Sequence, residues 1–194
     1  MKKLICVIGF LAVTMGSFAQ NDSIDHWRYY VPDDEFFVEV GLGALIPTDE
    51  SNSFFGLNIE FGKYVNNEFG VGFDFHYGKE SEYKDELYYI GPKFRYRVNY
   101  DPRNYLDMDL FAGLGYGCYR YCYDYYDDYY FGNYRAYENM DYVVPKVGAT
   151  FYLNFSRNVS IGLEPSFMWY ISTDLNRSHS VGVWNLQGKL KVRF

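Results

Sequence analysis

Three histidines, His26, His76 and His179, are the side chains of this 194-residue chain best suited to move a proton near neutral pH. His179 stands between Ser178 and Ser180, so it is the imidazole with hydroxyls beside it. Activating a serine also needs an acid to orient the ring, and none stands at an obvious strand spacing from this tripeptide. His76 follows Asp74 by two residues, which puts both on one face of a strand as hydrogen-bonded neighbours. Asp124, Asp127 and Asp128 lack the spacing of a calcium loop, and the sequence has neither a glycine-rich phosphate loop nor a metal-ligand spacing. No catalytic residue, cofactor-binding residue or metal ligand is assigned, and the chain is expected not to be an enzyme.

These residues are set in a ladder of eight runs in which every second residue is apolar. The first has Phe36, Val38, Val40, Leu42 and Ala44 on one face, with Glu39, Gly41 and Gly43 on the other. The second sets Phe55, Leu57, Ile59 and Phe61 against Asn58 and Glu60, and the third sets Phe69, Val71, Phe73, Phe75 and Tyr77 against Asp74 and His76. In the fourth, Ile90, Phe94, Tyr96 and Val98 oppose Lys93, Arg95 and Arg97; in the fifth, Leu106 to Leu114 in steps of two oppose Asp107 and Asp109. The last three pair Val147, Phe151 and Leu153 with Lys146, Ile161, Leu163 and Trp169 with Glu164, and Trp184, Leu186, Leu190, Val192 and Phe194 with Lys189, Lys191 and Arg193. An even number of such segments suits an all-β fold, an eight-stranded antiparallel up-and-down transmembrane β-barrel. Pro92, Pro145 and Pro165 fall within these runs and are expected near strand ends or bulges, because a proline donates no ladder bond.

Alternation alone does not say which face is enclosed. A soluble lipocalin-type barrel would turn its apolar face inward. Here the other face is rich in glycine on the first, third and fifth runs, a poor coat against water but a good filling for a narrow eight-stranded lumen. The apolar face is therefore read as lipid-facing, and the interior as a polar network of Glu39, Glu60, Asp74, His76, Lys93, Arg95, Arg97, Asp109, Lys146, Glu164, Lys189 and Lys191, with Asp107 and Arg193 near a rim. Two readings stay open for it: a plug of ion pairs that stiffens the barrel, or a narrow selective pore. Tyr64, Tyr96, Tyr116, Tyr142, Trp169 and Trp184 are candidates for aromatic girdles at headgroup level.

The connections are expected to alternate, short at 66–67, 99–104 and 156–158, long at 47–53, 78–86, 119–141 and 172–180. The third long one is unusual, with eleven tyrosines from Tyr116 to Tyr142 inclusive. Strands five and six either continue through it as a protruding hairpin that turns near Gly132-Asn133, or the Tyr/Asp surface binds a partner; the two readings are compatible. Tyr123, Asp124, Tyr125, Tyr126, Asp127, Asp128, Tyr129 and Tyr130 form that candidate surface-binding loop. Cys118 and Cys122 lie roughly 13 Å apart if the strand is extended, so a disulfide requires a turn or bulge between them.

At the start, Met1-Lys2-Lys3, the apolar stretch Leu4 to Val13 and Ser17-Phe18-Ala19 have the layout of a secretory signal, with cleavage expected between Ala19 and Gln20. The stretch is shorter than the ~20 residues of a membrane-spanning helix. Cys6 opens the apolar core rather than following it, which excludes a lipid anchor. The expected organisation is a signal peptide at 1–19, a short leader at 20–35 and one barrel domain at 36–194. The formal charge of −7 becomes two units more negative once Lys2 and Lys3 are removed, and an acidic chain has no electrostatic attraction for nucleic acid.

The export signal, the eight alternating runs, Gly91-Pro92-Lys93, Pro145-Lys146-Val147-Gly148 and the ending Leu190-Lys191-Val192-Arg193-Phe194 together resemble porin-family outer-membrane β-barrel domains of Bacteroidetes-type bacteria. The resemblance spans nearly the whole mature chain. It implies the outer membrane of a Gram-negative cell and contact with its lipid. It also implies a C-terminal assembly signal at Trp184, Leu186, Leu190, Val192 and Phe194, read by the barrel-assembly machinery. A monomer without cofactors is expected, with a structural or surface-interaction role towards an unidentified extracellular ligand. The alternatives are a narrow porin-like pathway for small solutes and a lipid A-modifying enzyme.

Overall fold

The computed structural model describes residues 35–48, 53–80, 85–98, 106–127, 132–156, 158–174 and 180–194, with the side chains of 123–137 left aside. The expected signal peptide, all of the leader but Glu35, and the Ser178-His179 pair lie outside them. Eight strands follow in chain order: β1 (Glu35–Pro47), β2 (Phe54–Tyr64), β3 (Phe69–Glu80), β4 (Glu86–Arg97), β5 (Leu106–Asp127), β6 (Gly132–Asn154), β7 (Val159–Ser172) and β8 (Ser180–Arg193). Each pairs antiparallel with its sequence neighbours, and β8 pairs with β1 to close the barrel. The step from Phe37 through Gly62, Gly72, Lys93, Gly113, Lys146, Met168 and Val183 returns to β1 at Pro47, ten residues on. That stagger tilts the strands and sets the lumen wide enough for side chains alone.

The two faces follow the alternation of the sequence. Phe55, Phe61, Phe94, Leu114, Val147 and Leu163 point outward and are exposed, whereas Glu60, Lys93 and Glu164 on the same strands are wholly buried. At several inward positions glycine lets a ring lie against the inner wall. A Cβ on Gly115 would sit 2.6 Å from the Tyr89 ring, and one on Gly117 would sit 2.5 Å from the Tyr170 ring.

The three prolines are not where expected. Pro92, Pro145 and Pro165 sit in mid-strand, with unbroken pairing on one side (Phe73, Leu114 and Leu186 respectively). On the other side the ladder skips: Ile90↔Tyr116 resumes at Lys93↔Gly113, Val143↔Ile171 at Lys146↔Met168, and Gly148↔Ser166 at Phe151↔Leu163. The register is the same before and after each gap, so no residue is inserted and no bulge forms. A proline lacks one donor, towards one neighbour only, and a closed sheet tolerates the loss because the other neighbour still holds the strand.

The connections also differ from expectation. The strands run further than the alternation suggested, and 98–105, expected to be short, is longer than 81–85 or 128–131. Tight turns at one end are built by side chains: Asn66 Oδ1 accepts from the amides of Glu68 (2.9 Å) and Phe69 (2.7 Å), and Ser156 Oγ accepts from that of Val159 (3.1 Å). The segment 119–141 takes the hairpin reading, with strands five and six continuing through it and the last pair at Asp127↔Gly132, beside the expected turn. β5 and β6 pair without interruption from Leu106↔Leu153 to Asp127↔Gly132. Among the described residues, the ladders of β5 and β6 beyond Arg120 and Tyr142 run only to each other, as a two-stranded ribbon whose foot is tied by the Cys122 amide to Asp85 Oδ1 (2.8 Å) and by the Thr173 amide to the Asp141 carbonyl (3.1 Å).

Candidate functional site

The lumen is filled in two storeys. In the one nearer the chain termini, the twelve polar residues expected inside are all buried. Most of their cations come from β4 and β8, which face each other across an eight-stranded barrel, and their acids from the strands between. Arg95 spans the lumen: Nε donates to Glu60 Oε1 at 2.7 Å, Nη2 to Glu39 Oε2 at 2.7 Å and Nη1 to Asp109 Oδ2 at 3.1 Å. Lys93 Nζ bridges Glu60 (2.9 Å) and Glu164 (2.8 Å), and Lys146 Nζ bridges Asp74 (2.7 Å) and Glu164 (3.0 Å). Lys191 reaches Asp109 and Glu39, each at 3.4 Å, and Arg97 reaches Asp109 at 3.7 Å. His76 Nε2 lies 3.0 Å from Asp74 Oδ2, the pairing their spacing suggested.

Carboxylate oxygens of Glu39, Glu60 and Glu164 all lie within 4.8 Å of one another, close enough for a common metal ion. The lysine of β8 already takes that place: Lys189 Nζ contacts all three carboxylates, Glu39 at 3.2 Å, Glu60 at 3.5 Å, and Glu164. The cluster is therefore an ion-pair centre. Removing one partner from such a network strands the others, which typically costs about 3–5 kcal/mol. Aromatic rings complete the storey, with Lys93 Nζ 3.7 Å from the Phe111 ring centre and the Arg97 guanidinium 3.8 Å from that of Tyr64.

At the rim by the termini, Arg193 meets Asp107 at 3.5 Å and Glu35 at 3.2 Å, and Glu35 also meets Arg97 at 3.5 Å. Glu35 falls in the expected leader and was not assigned to the interior. Its phase with Phe37 and Glu39 along β1 is the signal that includes it.

The second storey, towards the hairpin, is apolar. Leu45, Phe54, Leu87, Tyr89, Tyr119, Tyr142, Val144, Met168, Tyr170, Val181 and Val183 form one buried cluster across the lumen. Tyr142 and Tyr170 meet edge to face at 5.6 Å, as do Phe54 and Tyr119 at 5.9 Å. The polar network expected from the sequence thus covers only part of the lumen. Tyr64 and Tyr142, expected in the girdles, are also inside, each 2 % exposed. Their even positions on β2 and β6 share the phase of Glu60 and Lys146, so alternation outweighs aromatic character.

Tyr96, Tyr116, Trp169 and Trp184 do point outward. Towards the hairpin, Tyr116, Trp169 and Trp184 lie with Phe55 in one ring of exposed aromatics; towards the termini, Tyr96 lies with Phe36, Phe69, Phe155 and Phe194 in another. Ten residues of β1, Phe36 to Ile46, separate the rings. At a tilt of about 40° that is an apolar band ~25 Å tall, the height of the lipid-facing band of an outer-membrane barrel.

Of the candidate surface-binding residues, Tyr123 to Asp127 lie on the ribbon part of β5, and Asp128, Tyr129 and Tyr130 fall outside the described residues. Cys118 and Cys122 are free, and no turn or bulge interrupts β5 between them. In the expected assembly signal, Trp184, Leu186 and Phe194 are exposed, and Leu190 and Val192 point the same way.

This architecture, a closed antiparallel barrel of eight strands with an apolar outside and a filled lumen, is that of the small outer-membrane β-barrel proteins. No family model and no curated protein matches the sequence. Solved structures do match. Neisserial surface protein A superposes with a TM-score of 0.63 at 14% identity, covering 84% of this chain and 98% of that one. The N-terminal β-barrel domain of Pseudomonas aeruginosa OprF gives 0.54 at 12% identity, with 82% and 97% covered. The outer membrane enzyme PagL gives 0.50 at 15% identity, with 79% and 97% covered. At these identities the likeness is one of fold.

Proposed function

We propose that this chain is an outer-membrane β-barrel of a Gram-negative cell, porin-like in family, whose work is done by the β5–β6 ribbon it displays rather than by passage through its lumen. The observation that carries this reading is the contrast between the two: a lumen filled from Glu39 to Val183, and a ribbon that leaves the barrel wall beyond Arg120 and Tyr142. With both termini in the periplasm, the ribbon faces out of the cell. Tyrosine-rich surfaces supply rigid amphipathic contact area at low entropic cost, which suits contact with a neighbouring cell, a glycan or a protein. No catalytic step is assigned, and the assembly role of Trp184, Leu186, Leu190, Val192 and Phe194 belongs to this reading.

Two measurements test it. Protease added to intact cells should cut within the ribbon while the barrel stays protected. Refolded protein in planar bilayers should show no discrete conductance. Stable single-channel steps would replace the display reading with the narrow-pathway alternative.

A further inference from the structure

β6 runs on where β7 stops. Its ladder to β7 ends at Tyr142↔Ser172, while its ladder to β5 continues to Gly132↔Asp127. In an antiparallel strand, alternate residues turn both backbone groups to the same side. The Thr173 amide donates to the Asp141 carbonyl at 3.1 Å, so the odd-numbered residues of β6 face the β7 side. Among the described residues, no strand lies beside the N–H and C=O groups of Asn133, Arg135, Tyr137 and Asn139 on that side. The opposite edge is shorter. On β5 the even-numbered residues face outward from the ribbon, and the Cys122 amide is taken by Asp85 Oδ1 at 2.8 Å, which leaves Asp124 and Tyr126.

An open edge of this length is a template for a further strand, and proteins normally blunt such edges with lysine, proline or a bulge. Residues 132–141 contain neither lysine nor proline, and their pairing with β5 has no bulge. A cleft marks where an added strand enters. It measures 430 Å³ and lies between Glu138 to Tyr142 of β6 and Ser172 to Asp174 at the end of β7. A strand laid antiparallel to β6 from this cleft continues the sheet in line with β7. Charge selects the occupant. Residues 119–142 carry five carboxylates and two guanidiniums, a surplus of three negative charges. That field repels a second ribbon of this chain or an acidic glycan, and attracts a basic polypeptide.

We propose that the β6 edge from Asn133 to Asn139 takes up an extended, basic segment of another polypeptide as an added strand. The proposal rests on the display reading and names its partner. Main-chain hydrogen bonds supply the grip, and the surplus of carboxylates supplies the selection.

The test uses full-length protein refolded in uncharged detergent, with amide exchange followed by NMR. Three ten-residue probes are compared: a peptide alternating Lys and Thr, one alternating Glu and Thr, and the Lys/Thr peptide N-methylated at alternate residues. The last keeps its charge and loses its ladder bonds. The Lys/Thr peptide should slow exchange at Arg135, Tyr137 and Asn139 by about tenfold or more, and leave Tyr134, Ala136 and Glu138, which already bond to β5, unchanged. Each of the other peptides should bind about tenfold more weakly. Tyr137→Pro removes an edge donor and spares the β5 ladder, so it should weaken binding of the Lys/Thr peptide, whereas Tyr137→Ala keeps the donor and should not. Equal binding of the N-methylated peptide overturns the added strand, and equal binding of the Glu/Thr peptide overturns the basic partner. Edge amides that exchange slowly before any peptide is added would mean that the chain covers its own edge, which also overturns the proposal. Heat-modifiable gel migration confirms that each variant is folded; should Tyr137→Pro fail there, the N-methylated peptide carries the comparison. Protease cleavage on intact cells reports on the display reading separately, so the two fail independently.

Discussion

Between Glu39 and Lys189 the lumen is filled by charges that meet across it; between Leu45 and Val183, nearer the ribbon, it is filled by rings and aliphatic chains. The two fillings come from the same strands, a few residues apart. Glu39 and Leu45 both lie on β1, Lys93 and Tyr89 on β4, and Lys146 and Val144 on β6. An ionic filling is stiff because each charge is held by several partners, and a single loss leaves buried charge uncompensated. An apolar filling holds by packing, so a single loss leaves a cavity that neighbours partly close. The lumen therefore has one part that is intolerant of change and one that yields.

That contrast can be broken or sharpened by substitution, with stability read from urea unfolding in detergent or liposomes. Arg95→Met, which strands Glu39, Glu60 and Asp109 together, should cost the most, about 3–5 kcal/mol. A cost near zero would mean that water replaces the guanidinium and that the ionic storey is not closed. Met168→Ala in the apolar storey should cost roughly 2–5 kcal/mol, nearer the lower figure if Tyr170 and Val144 relax into the space. Arg in place of Leu110 or Phe151 on the outside should cost about 2–4 kcal/mol at mid-bilayer, and tolerance there would contradict the lipid-facing assignment.

Smaller effects belong to the ribbon. Deletion of 124–138 should change barrel stability by about 1 kcal/mol or less, because a two-stranded ribbon is marginal by itself. Loss of heat-modifiable migration on deletion would make the ribbon part of the barrel's structure. Without any reductant, alkylation of the mature chain should add two labels, one each at Cys118 and Cys122, whereas an unlabelled product would reveal a bridge.

The alternation that begins at Phe36 was enough to place eight strands, their outward faces and the twelve charged and polar residues within, because a strand's side chains can only point two ways. Tyr64 and Tyr142 were misplaced for want of the same rule, since amphipathic character suggested the girdle while phase dictated the lumen. The prolines show a different limit. Whether Pro92, Pro145 or Pro165 needs a bulge depends on which neighbour its missing donor faced, and a sequence does not pair its own strands. The ribbon was legible as an alternative only, because tyrosines and aspartates suit a loop as well as a strand until the register of β5 with β6 is known.

The order of residues along this chain determined the class of fold and the two faces of every strand, since period two is a local property that each segment carries for itself. Tertiary closure alone decided which charges meet and where the apolar storey lies. A stagger of ten residues around the barrel brings Arg95 to Glu39, closure sets Lys189 on Glu39, and Leu45 comes to lie beside Val183. Those meetings join residues up to 150 positions apart, and no short-range pattern encodes them.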